Sequence, residues 1–339
     1  MTAAIAHARA PLRIDLAGGW TDVGPYAARA GGAVVNVAIS LRAHVQVRRH
    51  KGGVSLHALD LGAAVSARRA AELRPDGELG LLKAAARRLG PAGGFEVLTS
   101  SDAPPGSGLG GSAAMGVALV AAFAALRDER PMAAEIAQRA FELEAGDAGL
   151  ICGRQDQYAA SLGGLQFLEF DERRVSATRL DPGEDGLREL ERHLVLCYSG
   201  ASRLSAGMHA QVWRRYADGD GAVSRALDGL RACALEMRDA LVRGQLAVVG
   251  DVLSRNWEHQ KALGEGMETA AMRALARAAA GAGAAGWKAC GAGAGGCMVF
   301  LAKAGRAFAL AEALRGAGAT VLRWAVDGTG VVTWLGAER

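Results

Sequence analysis

The chain has 339 residues, of which 50% are hydrophobic and 22% charged, and its formal net charge is +4. This composition is typical of an ordered globular protein and excludes a disordered linker, while the length allows two lobes rather than one compact unit. Only 5% of the residues are aromatic, and the basic residues are interleaved with acidic ones, which excludes the aromatic and basic strip of a nucleic-acid binder.

The N-terminal part of the chain is predicted to be rich in strands. Apolar patterns predict strands over 12–17, 33–39, 43–50 and 94–100 and a helix over 80–88. Beyond the prolines at 104 and 105 the period becomes helical, with helices over 112–126 and 131–145, the second with Pro131 in its first turn.

The C-terminal part is predicted to be helical inside and to return to strands at its end. Strands are predicted over 163–170 and 194–198, and residues 202–279 are predominantly helical, with breaks near 219–221 and 264–266. A strand over 296–301, a helix over 305–315 and strands over 321–325 and 330–335 follow. The fold class is therefore α+β, with an N-terminal lobe of residues 1–180 and a C-terminal lobe of residues 181–339 whose last strands and helix form a small αβ layer.

The cysteines and histidines predict neither disulfides nor zinc. The five cysteines form no CxxC pair and the seven histidines form no HExxH pattern, so we expect reduced thiols in a cytoplasmic protein and no zinc site. The longest apolar stretch, Met115–Leu126, is too short to cross a bilayer, and the first residues carry no signal-peptide pattern. No membrane partner is therefore expected.

A glycine-rich segment precedes the apolar helix at 112–126. Gly106, Gly108 and Gly110 alternate along it, so the backbone can turn its N–H groups towards one point, and the helix N-terminus adds partial positive charge. Together these features make an anion site. Ser112 is placed to cap the helix or to contact a phosphate-bound Mg²⁺. The plain alternative is a glycine-rich loop with Ser112 as an ordinary helix cap.

The segment 104–114 resembles the second motif of the GHMP kinases, Pro-x-x-x-Gly-Leu-Gly-Ser-Ser-Ala, with Gly111 in place of the first serine. The resemblance implies a two-lobed GHMP kinase fold, with an N-terminal lobe like ribosomal protein S5 domain 2 and a ferredoxin-like C-terminal αβ lobe. It implies ATP as the phosphoryl donor and Mg²⁺ held in part by Ser112. The implied ATP-phosphate loop consists of Pro104, Gly106, Ser107, Gly108, Leu109, Gly110, Gly111, Ser112 and Ala113.

Residues 9–22 resemble the N-terminal strand and turn of the sugar kinases in this family. The resemblance implies that Arg13 positions the transferring phosphate and the nucleophile and that Asp22 binds sugar hydroxyls, with Trp20 and Thr21 beside it. An arginine suits a phosphoryl group and a carboxylate suits a polyol. A surface cation, a turn-capping carboxylate and, for Trp20, a core side chain are the plain alternatives.

Residues 153–158 resemble the Gly-x-x-Asp-Gln of the family. The resemblance implies that Asp156 deprotonates or orients the attacking hydroxyl, which suffices for a reaction dominated by positioning. Gly153, Arg154, Gln155 and Tyr158 are placed with it in the implied substrate site.

Glu144 lies at the end of the predicted helix over 131–145. The resemblance implies that it binds Mg²⁺ alongside Ser112. Glu142 is the alternative, and it would point about 200° away from Glu144 on a regular helix.

The glycine run in residues 288–300 resembles the family's C-terminal loop, which packs over nucleotide and substrate. Gly293 and Gly295 are therefore implied to contact the substrate, and the plain alternative is a turn leading into a core strand. Cys290 and Cys297 are predicted to be packing residues, since no basic partner is evident for either.

The choice of substrate is narrowed by three segments, 17–22, 31–36 and 153–158. They resemble the branch that contains D-glycero-D-manno-heptose 7-phosphate kinase and L-fucokinase, both of which phosphorylate the anomeric hydroxyl. Segments 199–203 and 256–261 and the chain length favour the heptose type, whereas Trp20 favours L-fucokinase or another hexose 1-kinase. A phosphate on the substrate would need a cation such as Arg154, Arg203 or Lys261.

Three rival classes are weighed against this sugar kinase. A non-catalytic sugar-binding regulator of the same fold would lack the base or the phosphate loop, and a mevalonate or homoserine kinase would have no use for the Asp22 carboxylate. A dinucleotide-dependent oxidoreductase would need a strand running directly into its glycine motif. Partners are ATP and a small sugar or sugar phosphate, and a homodimer is left open.

Overall fold

The first sheet of the protein, a computed structural model that describes residues 4–200 and 206–337, is built on two long antiparallel strands near the N-terminus. They are β1 (Ala4–Ala17) and β2 (Gly32–His50). The remaining members of this sheet are β3 (Val54–Ala58), β4 (Ala63–Ala67), β5 (Gly94–Ser101), β6 (Leu165–Phe170), β7 (Val175–Arg179) and β12 (Val332–Ala337). The strand order is β12-β1-β2-β5-β3-β4. In addition, β6 pairs with the N-terminal part of β2, and β7 pairs with β6.

The second sheet has four antiparallel strands in the order β11-β8-β10-β9. They are β8 (Leu194–Tyr198), β9 (Ala284–Ala289), β10 (Cys297–Ala302) and β11 (Thr320–Leu322). Every residue of β10 is buried, as expected for an inner strand of a covered sheet.

Eleven α-helices are present in the described ranges. In the N-terminal part they are α1 (Gly24–Ala30), α2 (Gly80–Leu89), α3 (Gly111–Leu126), α4 (Ala133–Phe141) and α5 (Gln155–Leu162). The others are α6 (Gly183–His193), α7 (Ala206–Ala217), α8 (Gly221–Val242), α9 (Leu246–Ala262), α10 (Ala270–Ala282) and α11 (Ala307–Gly316). A 3₁₀ turn covers Ala70–Glu72, and a π-helical turn, Glu142–Asp147, follows α4. None of the described helices is both long enough and apolar enough to span a membrane.

Helices α3, α8 and α9 form the core of the molecule together with the two sheets. Helix α3 is apolar on every side and is buried along most of its length, packing on β1 and β2. The α8–α9 pair lies between the sheets, where Met237 and Leu253 share one apolar cluster with Ile14 of the first sheet and Val299 of the second. The loop that precedes α3 contacts the second sheet, because the Cys297 N–H of β10 donates to the Ser107 oxygen at 2.6 Å.

The mixed α+β, two-lobed fold predicted from the sequence is confirmed, with some corrections to its elements. The predicted strands over 33–39 and 43–50 are one strand, because the register shift opposite Pro11 and Leu12 absorbs the irregular residues between them. Pro131 lies before α4, whose N-cap is the extended Met132. Of the two final strands, Val332–Ala337 pairs with β1 in the first sheet rather than joining the second.

Candidate active site

The glycine-rich loop opens α3 and leaves its first turn uncapped. Gly106, Gly108 and Gly110 have φ angles of 68°, 74° and 74°, a region that favours glycine. Gly110 is the N-cap, and among the described residues no side chain caps this helix. The N–H groups of its first turn are therefore available to an anion. Ser112 lies inside the first turn, so the alternative that it is the helix cap is wrong.

Arg13 joins the loop to the carboxylate of Asp156. Its Nε and Nη2 donate to the two oxygens of Asp156 at 2.8 and 2.9 Å. Its Nη1 donates to the carbonyl oxygens of Gly108 at 2.6 Å and Cys290 at 3.0 Å. The arginine is buried, and this bidentate pair fixes the Asp156 carboxylate in the first turn of α5 beside the phosphate loop.

Glu144 and Ser112 meet at the N-terminus of α3. Glu144 belongs to the π-helical turn and is buried. Burial raises the pKa of its carboxyl group, and hydrogen bonds from the Ser112 hydroxyl and the Gln157 amide oppose the rise while the Asp156 charge adds to it. The Gln157 Nε2 donates to Glu144 at 2.7 Å. Glu142 instead pairs with Arg88 on the surface at 2.7 Å.

This donor set fits Mg²⁺ better than a zinc ion. Mg²⁺ is commonly bound by one or two protein oxygens together with substrate phosphates and water. Ser112 and Glu144 supply such oxygens beside the uncapped helix N-terminus. No group of three or more His, Cys, Asp or Glu side chains in the described ranges could hold a metal by itself.

Asp22 is a second buried carboxylate, reached through the turn after β1. Its Oδ2 accepts from the backbone N–H of Gln155 at 3.0 Å. A Cβ on Gly153 would lie 1.8 Å from the same oxygen, so any larger residue there would displace the Asp22 carboxylate. Burial raises the pKa of Asp22 to about 6, the Gln155 hydrogen bond opposes the rise, and the negative charge of Asp156 adds to it.

Three of the predicted substrate-binding side chains make contacts within the protein, and their contact with the substrate stays a prediction. The Thr21 hydroxyl is fully buried, lies 2.7 Å from the Gly18 oxygen and accepts from the Ala33 N–H at 3.1 Å, so it holds the turn. Arg154 donates to backbone oxygens of the β6–β7 hairpin and lies over the Phe170 ring. Tyr158 is a core residue of the cluster that contains Phe170.

The third motif packs directly behind the phosphate loop. A Cβ on Gly291 would lie 2.7 Å from the Gly108 Cα, and the Cys297 N–H donates to the Ser107 oxygen at 2.6 Å. Gly293 and Gly295 have φ angles of 97° and 126°, which explains the glycines there. Their contact with the substrate stays a prediction.

Several residues of the site were given no role by the sequence analysis, although most of them lie in segments that resemble the family. Lys288 is fully buried and pairs with Asp15 at 2.9 Å, donating also to the Asp15 backbone oxygen at 2.7 Å. Asn256 accepts from the Gly18 N–H at 2.9 Å, and the Gln260 Nε2 donates to the Gly291 oxygen at 2.7 Å. All of these contacts are distant in sequence, so no local pattern could indicate them.

Comparisons with known proteins decide the family. The family models described as GHMP kinases N terminal domain and GHMP kinases C terminal match residues 79–164 and 237–320. D-glycero-alpha-D-manno-heptose 7-phosphate kinase of Campylobacter jejuni is 31% identical over 332 residues, covering 96% of this chain and 97% of the relative. The chain belongs to the GHMP kinases. It is therefore a phosphotransferase with an alcohol acceptor, and ATP is the phosphoryl donor that the family implies.

Two further relatives of this GHMP kinase support the same placement. A crystal structure of a D-glycero-D-manno-heptose 1-phosphate kinase from Bacteroides thetaiotaomicron superimposes with a TM-score of 0.81 at 27% identity, covering 97% of this chain and 98% of the other. L-fucokinase/L-fucose-1-P guanylyltransferase of Bacteroides fragilis is 30% identical over 80% of this chain, but the match spans 32% of that relative.

Proposed function

We propose that this GHMP kinase transfers the γ-phosphoryl group of ATP to the anomeric hydroxyl of D-glycero-D-manno-heptose 7-phosphate, giving the 1,7-bisphosphate. The observation that carries the sugar assignment is the pair of carboxylates beside the phosphate loop, the buried Asp22 and the half-buried Asp156. Carboxylates accept hydrogen bonds from the hydroxyls of a polyol. The match to the heptose 7-phosphate kinase over nearly the full length of both chains supports the choice of sugar.

Each residue of the site has a separate role in the proposed reaction. Asp156, held by Arg13, orients the attacking hydroxyl and accepts its proton as the new O–P bond forms and the bond to ADP breaks. Arg13 and the N–H groups of the α3 first turn stabilise the negative charge on the transferring group. Ser112 and Glu144 would hold Mg²⁺, which neutralises phosphate charge when bound. The chain's own contribution is thus mainly positioning.

A neutral sugar such as L-fucose or another hexose is the second candidate. Of the three cations expected to bind a substrate phosphate, Arg154 is committed to the β6–β7 hairpin and Lys261 pairs with Glu258 at 2.8 Å. Arg203 lies outside the described residues. The engagement of Arg154 and Lys261 by other groups of the protein is the observation that favours this second candidate. The cytoplasmic location and the homodimer stay predictions.

The test is an ATP-consumption screen over heptose 7-phosphate, L-fucose, galactose, mannose, mevalonate and homoserine, with the product identified by phosphorus NMR. We expect turnover of heptose 7-phosphate, whereas turnover of a neutral sugar alone would favour the second candidate. We also expect a loss of at least about 100-fold in kcat in Asp156→Ala, the range expected for removing a general base. The matched control is Asp185→Ala, an exposed carboxylate on α6.

Three outcomes would contradict the proposal. Equal turnover by the wild type and Asp156→Ala would remove the catalytic assignment. Turnover of mevalonate or homoserine alone would remove the sugar assignment. Sugar binding by calorimetry without ATP consumption would identify a regulator instead of an enzyme.

A further inference from the structure

Helix α7 covers the turn that carries Asp22. The ring of His209 stacks on the indole of Trp20, with centroids 4.3 Å apart and planes 21° from parallel. Trp213, one helical turn further along, lies 6.1 Å from the same indole. Trp20 is therefore a buried part of an aromatic cluster with the α7 side chains. Since His209 lies on one of its faces, that face of the indole cannot be an open sugar platform.

His209 brings an unpartnered polar group to the site. Its Nδ1 is buried and has no hydrogen-bond partner among the described residues, and the same holds for the Nε1 of Trp20 beneath it. Burial lowers the pKa of His209 to about 4, and the nearby negative charge of Asp156 opposes this. The ring is therefore a neutral imidazole, with one donor and one acceptor nitrogen, within electrostatic range of the proposed base.

Buried polar atoms in native proteins nearly always have a hydrogen-bond partner, either protein or ordered water, and a bound hydroxyl can take the place of such a water. We propose that His209 is a specificity-determining residue whose Nδ1 hydrogen-bonds one hydroxyl of the sugar that Asp22 and Asp156 hold. This inference rests on the proposed sugar kinase activity and adds to it a neutral contact from the C-terminal lobe. The imidazole and the two carboxylates would then contact different hydroxyls of one sugar. A sugar that lacks the hydroxyl opposite His209 would bind more weakly.

Two substitutions at His209 distinguish the contribution of ring stacking from that of the Nδ1 hydrogen bond. His209→Phe keeps an aromatic ring against Trp20 but removes the hydrogen bond, and His209→Asn keeps a polar atom near the Nδ1 position but removes the ring. We expect His209→Phe to raise the KM for the sugar about tenfold, the effect of losing one neutral hydrogen bond, with the KM for ATP unchanged. His209→Asn should recover most of this loss.

The matched control is His7→Phe. His7 also stacks on a tryptophan, Trp334, at 5.1 Å, but at the edge of the first sheet where β12 pairs with β1. This variant should keep the wild-type KM for the sugar. Thermal unfolding of every variant shows whether a change in KM is accompanied by a loss of folded protein.

A set of monodeoxy analogues of the accepted sugar distinguishes a direct contact from a structural role. The effect of His209→Phe should disappear for the one analogue that lacks the contacted hydroxyl and persist for the others. An unchanged KM for the sugar in His209→Phe, or an equal effect with every analogue, would overturn this inference alone. If the wild type turns over no sugar, the proposed function fails and this inference fails with it.

Discussion

At the scale of single residues, the two carboxylates of the proposed acceptor site are held by different partners. Asp156 faces the guanidinium of Arg13 through two hydrogen bonds. Asp22 is buried with the backbone N–H of Gln155 as its donor, and its pKa is raised to about 6 by burial. The charge of Asp22 is therefore costly in the free enzyme, and a polyol that donates hydrogen bonds to it reduces that cost.

The substitution Asp22→Asn should stabilise the protein and weaken sugar binding. In the unfolded chain the Asp22 pKa is 3.8 and in the folded chain about 6. The folded state therefore binds more protons between these values, and stability falls as the pH rises through this window. Above pH 6 the variant should be more stable than the wild type by up to about 3 kcal/mol, and the two should converge near pH 4. Urea unfolding across this range measures the difference, and a pH-independent offset would contradict the explanation.

The substitution Ser112→Ala should weaken the use of Mg²⁺ more than the binding of sugar. The Ser112 hydroxyl contacts Glu144, and both are the proposed metal ligands. We expect the Mg²⁺ concentration at half-maximal rate to rise about tenfold, the range seen when a group around a metal is removed, with the KM for the sugar unchanged. Ser176→Ala, on the exposed face of β7, is the control. An unchanged Mg²⁺ titration would exclude Ser112 as a ligand.

At the scale of elements, the phosphate loop depends on the loop that follows β9. Gly108 and Gly291 are in backbone contact, and Ser107 accepts from the Cys297 N–H. Glycine is required here because of the close approach of two backbones, whereas at Gly106, Gly108 and Gly110 it is also required by the positive φ. The two motifs therefore form one unit although they are far apart in sequence.

The substitution Gly291→Ala should displace the phosphate loop. The new Cβ would lie 2.7 Å from the Gly108 Cα and 3.0 Å from its oxygen, and neither backbone atom can move independently of the loop. We expect the KM for ATP to rise at least about tenfold for a displacement that removes even one loop N–H contact to a phosphate. Gly281→Ala is the control, because nothing lies within 4 Å of its Cβ position in α10. An equal KM for ATP in both variants would show that the contact is not needed.

At the scale of the whole molecule, local sequence patterns predict the bounds of a helix or strand well where that element is largely buried. The strand Leu194–Tyr198 agrees with its prediction at both ends, and α3 begins one residue earlier than predicted, because continuous apolar runs are distinctive. The β3–β4 hairpin was not predicted, since β4 alternates between exposed and half-buried small residues. The side-chain directions of Arg154 and Tyr158 depend on β6 and β7, which pack on α5 from outside the motif.

The Asp15–Lys288 pair joins the two sheets and was equally invisible in the sequence. Asp15 lies on β1 of the first sheet and Lys288 on β9 of the second, and both are buried. Arg13, two residues before Asp15, contacts the backbone of Cys290, two residues after Lys288. The ion pair therefore joins the same two strands that the contact between Arg13 and Cys290 joins.

The substitution Lys288→Met should destabilise the protein and reduce kcat together. It leaves the Asp15 carboxylate buried without its cation, and breaking a buried pair in this way costs about 3–5 kcal/mol. Adding Asp15→Asn removes the unpaired charge, so the double variant should recover part of the stability. Because the tie between β1 and β9 stays broken, its kcat should remain low. Lys303→Met, an exposed lysine after β10, is the control. Full recovery of kcat in the double variant would show that the pair serves stability alone, whereas stability recovered without activity would confirm that it positions Arg13 across the two sheets.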